Sequence, residues 1–507
     1  MASAQITEKP GHRPWYKFFD EYEYRDQKKQ RVLTHWFDKN DTPDDRRLLC
    51  KLDVAISLFS LVSYWVKSLD QNNINNAYVS NMKEDLHLGG NDLVHLQVMY
   101  NVGCTVFQLP FMYLFPHVRM EILMPAMDIL WGIFTLAQYK VQSQAQLMAL
   151  RFLVGSAEAV FFPGVHYVLG SWFKADEINR RGGIFYIGLY LGSLTAGLLQ
   201  SSVYTHLDGV NGLAGWRWMF IIDAVITIPV GIAGFFLWPG TPDKCHSLIL
   251  SEADVAAAKR RMAANGTRLE SHTAKFDRKL LKRVFTSWHV YVLSFWDILF
   301  WNSSGSSSSG AFSLWLKSLD KYSIAKIDNF TALPPALGIF YLFIICGGSD
   351  FFRARWFFVC LSQSMNFMGL VILATWNVPF GAKWYAFSLQ YFSSAMSSVL
   401  YGWANDMLRH EVAYRSVVLI IMNTLAQGSQ VFIPLLVWPT VDAPTYHKGY
   451  IYASCISSSM VLWTLVVLWF YKRQEKRDYM ARLAGAPAEV AEKGVHVSVE
   501  SLSSDVD

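Results

Sequence analysis

Apolar runs of about 20 residues, the length that crosses a bilayer as an α-helix, alternate with short polar turns along most of the chain. A helix rises about 1.5 Å per residue, so each run is long enough to span the hydrocarbon core. We predict twelve membrane spans, at residues 52–69, 93–115, 121–139, 146–173, 182–205, 217–238, 288–316, 329–349, 354–376, 383–404, 413–438 and 449–471. The pattern predicts an all-α integral membrane protein with twelve transmembrane helices.

These spans fall into two bundles of six helices. The first bundle, at 52–238, and the second, at 287–471, are separated by the polar segment 239–286. Two such bundles are typical of transporters built from repeated halves, which hold their substrate between the halves near the middle of the membrane. An N-terminal arm at 1–51 precedes the bundles. A tail at 472–507, rich in Ala, Glu and Ser, follows them and is expected to be disordered.

The composition argues against a soluble enzyme. The 507 residues are 52% hydrophobic and 17% charged, and the mean hydropathy is +0.20. The sequence shows no phosphate-binding loop after a strand, no cluster with metal-ligand spacing and no nucleophile with a base at catalytic spacing. We therefore expect no enzyme activity, no cofactor, no metal and no nucleic-acid partner, and we expect membrane lipid to surround the bundles.

The net charge is +5, and the placement of the basic residues indicates the topology. Lys and Arg cluster in three regions that an even number of spans puts on the same side of the membrane. The positive-inside rule makes that side the cytoplasm, so both termini are predicted to be cytoplasmic. The arm has no early apolar core of the signal-peptide type, so span 1 is expected to act as the insertion signal. The clustered residues are Lys28, Lys29, Arg31, Arg46, Arg47 and Lys51, then Lys259, Arg260, Arg261, Lys279, Lys282 and Arg283, and finally Lys472, Arg473, Lys476 and Arg477.

Span 4 contains two opposite charges, Arg151 and Glu158, within an otherwise apolar run. Ionised side chains inside a membrane are costly and usually mark a transport pathway or a pairing partner. Seven residues make about two helical turns, roughly 10 Å along the axis, so both side chains face the same interior. We predict that Glu158 takes up and releases the proton that drives transport. A static ion pair with Arg151 that only locks the helix is the alternative.

Several motifs carry a family resemblance. They are Asp-Gln-Asn-Asn-Ile-Asn-Asn-Ala-Tyr at 70–78, Arg-Phe-Leu-Val-Gly-Ser-Ala-Glu-Ala-Val-Phe-Phe-Pro-Gly at 151–164, the segment 215–242, and Tyr-Gly-Trp-Ala-Asn at 401–405 with the segments 422–423 and 434–440. The motifs of the first half resemble the anion:cation symporter family of the major facilitator superfamily. Those of the second half resemble its fungal vitamin and allantoate permease branch, in which the pantothenate permeases look most similar.

The resemblance implies the major facilitator fold and proton-driven symport of a small organic anion by alternating access. Two departures bear on that expectation. Gln71 stands where the family usually has Arg, so a substrate carboxylate must find its counter-charge elsewhere, for which Arg151 is the candidate. The loop signature of the superfamily is almost absent after span 2, whereas Asp350, Arg353 and Arg355 after span 8 resemble it and are assigned to gating.

Polar and aromatic side chains within the spans complete the predicted site. Asp70, expected near the outer end of span 1, is assigned to proton coupling and can pair with Arg151. On span 5, two tyrosines share a face with the ladder of small residues Gly188, Gly192 and Ala196, which helix packing explains. The Gly/Ser run 303–310 in span 7 is interpreted as a hinge or a substrate-facing break. The substrate-binding candidates are Arg151, Gln71, Tyr186, Tyr190, Trp301, Asn302, Asn423 and Gln427, and interhelical hydrogen bonding explains the last two equally well.

The leading prediction is a proton-coupled symporter that imports a small organic carboxylate, pantothenate or a related vitamin. It is expected to act as a monomer in the plasma membrane, and an intracellular membrane stays open. Two alternatives use the same fold. One is a transporter that imports or exports a pathway-specific metabolite, and the other is a nutrient sensor that does not transport.

Overall fold

The computed structural model describes residues 36–37, 41–115, 117–173, 175–245, 247–264, 278–304, 310–352, 354–408 and 412–483. Within these ranges every regular element is a helix. Contacts divide the chain into two compact units, one of residues 34–464 and the other of residues 1–33 with 465–507. The first unit holds spans 1 to 11 and the beginning of span 12. In the second unit, the described part is the helical continuation of span 12.

The first half consists of six helical spans. Span 1 is the long helical segment Pro43–Asp85, which includes a short π-helical turn at Asp53–Leu58. Near its end the helix is kinked within Tyr78–Met82, where the backbone angles of Ser80 and Asn81 are not helical. Spans 2 to 6 are the helices Asp92–Leu114, Met120–Ala137, Gln144–Trp172, Ala175–Leu207 and Gly215–Leu237. Span 1 packs against span 5, span 2 against span 4, and span 3 against span 6.

The second half has more broken helices. Span 7 consists of Trp288–Ser303 and Ala311–Ser318, span 8 of Ile324–Thr331 and Leu333–Phe352, and span 10 of Phe380–Leu389, Phe392–Ala395 and Ser397–Met407. Spans 9, 11 and 12 are the helices Arg355–Thr375, Val412–Val437 and His447–Leu483. Across the halves, span 2 packs against span 11, and span 5 packs against spans 8 and 10.

Nine helices in the described ranges are long and apolar enough to cross a membrane. The three predicted spans outside that count are spans 2, 7 and 10. Polar residues such as His95, Gln97 and Asn101 interrupt the apolar sequence of span 2, and spans 7 and 10 are divided into shorter helices. Broken helices are tolerated within a membrane where they pack against protein or line a cavity.

Span 1 is longer than predicted. Its helix continues past residue 69, the predicted end, so the polar segment 70–77 lies within the helix. Asp70, Asn73 and Asn76 are 1%, 0% and 5% exposed, because they face neighbouring helices. The expectation that Asp70 lies near the outer end of the span is therefore wrong, and its carboxyl group lies in the protein interior.

Span 4 is interrupted directly after Glu158. Its α-helical segments Gln144–Glu158 and Phe161–Trp172 are joined through Ala159 and Val160. Pro163 explains the break, because it has no N–H to donate to the carbonyl group four residues earlier and its ring crowds that turn. At the break, the backbone carbonyl of Glu158 accepts a hydrogen bond of 3.3 Å from Nζ of Lys67 in span 1.

Glycines allow spans 2 and 4 to approach each other closely. A Cβ atom at Gly155 would overlap the backbone carbonyl oxygen of Tyr100, and one at Gly103 would overlap that of Phe152. The two helices therefore meet backbone against backbone. This contact sets the distance between Tyr100 and the end of the first helical segment of span 4.

The predicted ladder on span 5 is a packing surface. Cβ atoms at Gly188 and Gly192 would overlap the backbone carbonyl oxygens of Leu61 and Trp65 in span 1. Ala196, the third member, is fully buried. The prediction of close helix–helix packing by these small residues is confirmed.

Hydrogen bonds join the two halves at one end of the bundle. We call the end that carries the segment 239–286 the linker end, and the other end the opposite end. At the opposite end, side chains and backbone of spans 1 and 2 bond to spans 7 and 8 and to the connection before span 12. The bonds are Lys317 Nζ to the Val79 carbonyl at 2.9 Å, Ser80 Oγ to Asp328 Oδ2 at 3.2 Å, Val441 N to Asn91 Oδ1 at 3.2 Å, and Val94 N to Thr440 Oγ1 at 3.3 Å.

The segment 239–286 is attached to the first half by ion pairs. Its helix Glu252–Ala264 carries Asp254, whose carboxylate lies 2.6 Å from Nζ of Lys51. Further along the same helix, Arg261 pairs with Glu177 at the start of span 5. The helix Glu252–Ala264 is thus attached to the linker end of the first half.

Candidate functional site

Two buried ion pairs occupy the interior of the first half. The Nζ atom of Lys67 lies 3.6 Å from Oε2 of Glu158, and the Nη1 atom of Arg151 lies 3.7 Å from Oδ1 of Asp70. None of the four side chains is more than 9% exposed. Removing one partner from such a pair would leave an uncompensated charge in a low-dielectric interior, which costs about 3–5 kcal/mol. Within each pair, the charge of one side chain therefore depends on the charge of its partner.

Glu158 is the centre of a hydrogen-bond network. Its Oε2 atom accepts from the hydroxyl of Tyr100 at 2.5 Å and from Nε2 of Gln71 at 3.2 Å. The amide of Gln71 also bonds to the Tyr100 hydroxyl. The other carboxyl oxygen, Oε1, is buried and has no hydrogen-bond partner among the described residues. The network holds one oxygen and leaves the other available for a proton.

The carboxyl group of Asp70 is held from two sides. Its Oδ2 atom accepts a hydrogen bond of 2.8 Å from Thr135 of span 3, while Oδ1 faces Arg151. The guanidinium of Arg151 also lies over the ring of Tyr100, 5.1 Å from its centroid. The predicted pairing of Asp70 with Arg151 is confirmed. Tyr100 therefore contacts both ion pairs.

Lys67 is the residue that the sequence analysis missed. It lies one helical turn before Gln71 and is 7% exposed, with its ammonium group over the ring of Phe161 at 5.4 Å. Arg151 and Glu158 face the same interior, as predicted, but each has a partner from span 1. A lysine three residues before a conspicuous aspartate, at the predicted end of a span, resembled an interfacial charge. Its burial depends on the continuation of the helix.

The interior of the first half holds more acids than bases. Asp128 of span 3 and Asp223 of span 6 are 2% and 0% exposed. Asp223 accepts a hydrogen bond from Asn73, and Asp128 packs where span 3 meets Gly231 of span 6. Together with Asp70 and Glu158 they make four buried carboxyl groups around the cations Lys67 and Arg151 among the described residues, apart from the buried charges nearer the linker end, Glu121, Glu177 and Arg181. Ionised groups inside a membrane are costly unless they are paired, so protons must compensate part of this excess.

The two span 5 tyrosines lie at the contact between the halves. The hydroxyl of Tyr190 donates a hydrogen bond of 3.0 Å to Ser394 of span 10, or accepts one from it. The ring of Tyr186 packs against Phe162 of span 4 with 6.2 Å between centroids. Both tyrosines are buried. Their predicted role in substrate binding stays a prediction.

In the second half, the structure brings together two of the predicted residues. Trp301 and Asn423 both donate hydrogen bonds to the hydroxyl of Tyr401, at 3.2 and 3.0 Å. Asn423 also accepts a bond of 2.6 Å from Gln108 of span 2, which crosses between the halves. The interhelical interpretation of Asn423 is thus confirmed, whereas a role in substrate binding remains a prediction.

The other predicted residues of this half are dispersed. Asn302 donates to Ser429 and accepts from Gln430, both in span 11, which ties it to helix packing. Gln427 is half-buried and forms no hydrogen bond within the described part of the chain. The predicted hinge falls largely on residues 305–309, which lie outside the described ranges.

The predicted gating residues are described only in part. Arg353 and the side chain of Asp350 lie outside the described residues. Arg355, at the start of span 9, pairs with Asp406 at the end of span 10. That ion pair lies within the second half, and its role in gating stays a prediction.

A cavity between the halves begins one residue beyond Gln71. Asn72, Asn75 and Asn76 of span 1 line it on one side. Residues of spans 7, 8 and 10, among them Gln390 and Tyr391, line it on the other. The polar motif of span 1 thus reaches from the Glu158 network into a cavity lined by amide and hydroxyl groups on some sides and by aromatic rings on others.

The sequence matches a known family over most of its length. Residues 60–434 match the family model of the Major Facilitator Superfamily. The vitamin H transporter of Saccharomyces cerevisiae is 43% identical over 476 residues, covering 92% of this chain and 80% of that protein. Pantothenate transporters of Schizosaccharomyces pombe and Saccharomyces cerevisiae are 32% and 33% identical. They cover 85% and 82% of this chain, and the match spans 84% and 82% of their own lengths.

Solved structures share the fold at low sequence identity. A proton:xylose symporter bound to 6-bromo-6-deoxy-D-glucose aligns with a TM-score of 0.66 and 12% identity, over 82% of this chain and 95% of that chain. A bacterial homologue of the human lysosomal transporter Spinster, inward-facing and unoccupied, aligns with a TM-score of 0.56 and 13% identity, over 86% and 98%. These alignments confirm the predicted major facilitator fold.

Proposed function

The chain belongs to the major facilitator superfamily, a family of membrane transporters and not of enzymes, and we propose that it is a symporter that couples proton entry to the import of a small organic carboxylate. The observation that carries the proposal is the ion pair of Lys67 with Glu158. A lysine and a glutamate at this depth, with Tyr100 and Gln71 on the same carboxyl oxygen, make a site where a proton and an anion can replace each other.

Protonation of Glu158 changes what Lys67 can bind. When the carboxylate takes a proton, the attraction that holds the lysine is lost and a buried ammonium group is left without a counter-charge. The carboxylate of the substrate supplies the missing charge. Proton and substrate then stabilise the same loaded state, which is how two ligands become thermodynamically coupled.

Arg151 and Asp70 form the second part of the site. Tyr100 contacts both this pair and the first pair, so movement of that tyrosine would affect both pairs. We assign Arg151 to orientation of the substrate carboxylate and Asp70 to keeping the arginine in place while the site is empty. With Gln71 in place of the family's arginine, Lys67 is the nearest additional cation on span 1.

Alternating access accounts for the transport step. The bonds between the halves at the opposite end describe a state closed at that end, which leaves the linker end as the route for exchange. The positive-inside rule makes the linker end cytoplasmic, so this state corresponds to release into the cell. Both termini are then cytoplasmic, and we propose a monomer in the plasma membrane as the working form.

Biotin and pantothenate are the substrates to test first. Both are monocarboxylates with a neutral hydrogen-bonding group at the other end, which fits cations beside Glu158 and the amide-lined cavity beyond Gln71. Biotin takes priority, because the relative named as a vitamin H transporter shares 43% of its sequence with this chain. The transporters named for pantothenate share about a third.

The test is uptake of radiolabelled biotin, and separately of pantothenate, in yeast that lack their own permeases for these vitamins. Cells expressing the wild type or Glu158→Gln are compared at pH 5 and pH 7.5, with and without an uncoupler. We expect uptake by the wild type that is greater at pH 5 and is abolished by the uncoupler. In Glu158→Gln the dependence on pH should disappear.

A fluorescent fusion shows whether each variant reaches the plasma membrane. Absence of uptake of both vitamins by wild-type protein at that membrane would overturn the proposed substrates. Uptake that is insensitive to pH and to the uncoupler would overturn proton coupling and leave facilitated diffusion.

A further inference from the structure

Asp297 lies in the centre of the second half without a cation. It is on the first helix of span 7 and is 0% exposed. Its Oδ2 atom accepts a hydrogen bond of 3.1 Å from the hydroxyl of Tyr401. Among the described residues, its buried Oδ1 atom has no hydrogen-bond partner, and no Lys, Arg or His forms an ion pair with it.

The hydrogen bonds around Tyr401 fix the direction of the bond to Asp297. A phenol hydroxyl has one proton to donate and two lone pairs to accept with. Trp301 and Asn423 both donate to this oxygen, so the proton of Tyr401 points to Asp297. The carboxyl group therefore always acts as the acceptor in this bond, and its second oxygen is the position for a proton of its own.

Tyr401, the partner of Asp297, contacts span 4 of the first half close to Glu158. The ring of Tyr401 packs against Phe162 of span 4 at 5.5 Å, and Phe162 lies one helical turn after Glu158. The titratable groups that face Asp297 are Tyr401 of span 10 and Tyr186 of span 5, and His166 of span 4 contacts the Tyr401 ring at 6.3 Å. None of them brings a permanent positive charge. Separation of the halves would remove the contacts of Tyr401 with Phe162 and His166, so the surroundings of the Asp297–Tyr401 pair would change.

We propose that Asp297 binds a second transported proton, so that a monovalent carboxylate enters with two protons and one net positive charge. This inference rests on the proposed function. On the side where protons are taken up, the Asp297 carboxylate forms an O–H bond at Oδ1 with a proton from water. After the halves have reoriented, that bond breaks and the proton returns to water, in parallel with the proton of Glu158.

Position separates Asp297 from the other buried acids. Asp128 and Asp223 lie between helices of the first half, at the contact of span 3 with span 6 and beside Asn73 of span 1. Those contacts do not cross between the halves. Tyr401, the hydrogen-bond partner of Asp297, instead contacts Phe162 and His166 of the first half and loses those contacts when the halves separate. A proton couples to reorientation only if its affinity differs between the two states.

The test uses the full-length protein in proteoliposomes, with radiolabelled biotin as the probe. Biotin is a monovalent anion at neutral pH, so symport with one proton moves no net charge and symport with two moves one. Two driving forces are applied separately: an inward pH gradient with the potential clamped at zero, and an inside-negative potassium diffusion potential with equal pH on both sides. For one net charge, about 60 mV corresponds to a tenfold accumulation.

We expect the wild type to accumulate biotin under either force. Asp297→Asn, which is permanently neutral and nearly isosteric, should respond to the pH gradient and lose the response to the potential. Asp128→Asn, the same change at an acid inside one half, is the control and should keep that response.

The possible failures point to different conclusions. If the wild type responds to the pH gradient but not to the potential, the second proton is overturned whether or not the variants fold, and single-proton symport stands. If Asp297→Asn keeps the potential response, the second proton binds elsewhere and the assignment is overturned. If neither force drives wild-type accumulation of biotin or of pantothenate, the proposed function itself fails.

Discussion

The ammonium group of Lys67 lies 3.6 Å from the carboxyl group of Glu158, and the two side chains are 9% and 0% exposed. They come from spans 1 and 4, which are far apart in sequence, and a break in the helix of span 4 places the Glu158 carbonyl beside the same lysine. When one member of a charge pair at this depth loses its charge, the other member needs a different group to compensate its own charge. That requirement makes specific predictions for substitutions at both positions.

Lys67→Met should abolish most uptake. The substrate carboxylate would lose a buried cationic partner, a contact worth roughly 2–5 kcal/mol, so KM for biotin should rise about 100-fold. Initial rates of uptake over a range of biotin concentrations measure the change. Lys259→Met is the matched control, because that lysine pairs with Asp243 at the surface and both are about 40% exposed. Normal KM in Lys67→Met would contradict a role in binding the substrate.

The ion pair of Lys67 with Glu158 should also affect the stability of the folded protein. In Lys67→Met the remaining carboxylate of Glu158 has no cation, so we expect a loss of about 3–5 kcal/mol unless it takes up a proton. Lys67→Met/Glu158→Gln removes both charges and should unfold at a higher temperature than Lys67→Met alone. Thermal unfolding of purified protein in detergent at pH 7.5 measures the order. Equal unfolding temperatures for the single and double variants would argue against the ion pair.

Acid-dependent uptake should not involve the ion pair at the linker end. Partial burial works to raise the pKa of Asp254, but hydrogen bonds from Lys51 and Ser251 outweigh it and lower the pKa below its ordinary value of 3.8. A lowered pKa means that the pair stabilises the folded protein above about pH 4 and loses that effect as the pH falls through the lowered value. Between pH 5 and pH 7.5 its charge is constant.

We therefore expect Asp254→Asn to leave the ratio of uptake at pH 5 to uptake at pH 7.5 unchanged, in contrast to Glu158→Gln. The difference in unfolding temperature between wild type and Asp254→Asn should also be constant over this interval. A pH ratio that falls in Asp254→Asn would place part of the acid dependence in the linker segment.

Gly155→Ala should damage both packing and transport. The added methyl group would overlap the carbonyl oxygen of Tyr100, and overpacking of this kind costs about 1–3 kcal/mol. Displacement of span 2 would also move the Tyr100 hydroxyl away from Glu158. Gly170→Ala, in the same span, is the control. Nothing lies within 4 Å of its added Cβ, so it should be neutral or stabilise the helix by about 0.5–1 kcal/mol. Thermal unfolding and biotin uptake compare the two.

Lys317→Met should favour opening at the opposite end. It removes the bond to the Val79 carbonyl and the contact of 3.3 Å with Glu84, and a hydrogen bond from a charged donor is worth about 1.5–3 kcal/mol. A cysteine in place of Ser313, which is 4% exposed, reports opening through its rate of labelling by a membrane-impermeant maleimide. We expect the rate to rise roughly tenfold.

Lys326→Met is the control for that experiment. The Lys326 ammonium lies over the rings of Tyr322 and Phe330, both in the second half. Its removal should leave the labelling rate near that of the wild type. Equal rates in both lysine variants would show that the bond of Lys317 does not hold the opposite end closed.

The sequence predicted the fold well because membrane spans follow from hydropathy over a window of residues. The same averaging explains what was missed. The helix of span 1 continues through Asp70 and four asparagines because those side chains face protein, and a one-dimensional pattern does not show which face is covered. Once the span is extended, Lys67 is no longer close to a membrane surface, and its burial becomes apparent.

The site could be predicted where its members share a segment or belong to the motifs that carry the family resemblance, as Asp70 and Arg151 do. Arg151 and Glu158 were found together because seven residues of helix place them on one face. Asp297 is a single acid in an aromatic run, and its partner Tyr401 is 104 residues away in sequence. Tyr100 reaches Glu158 because glycines draw spans 2 and 4 together. These relationships depend on tertiary packing, which spacing along the chain does not specify.

The polar second half of span 1 has a consequence for how the protein is made. Lys67 and Asp70 each add about 2.5–3.5 kcal/mol to the free energy of inserting an isolated helix at mid-membrane. Their partners on span 4 follow some 80 to 90 residues later in the chain. The first span therefore enters the bilayer before those partners have been made. The amino-terminal end of this transporter reaches its final charge pairing only after the fourth span has been synthesised.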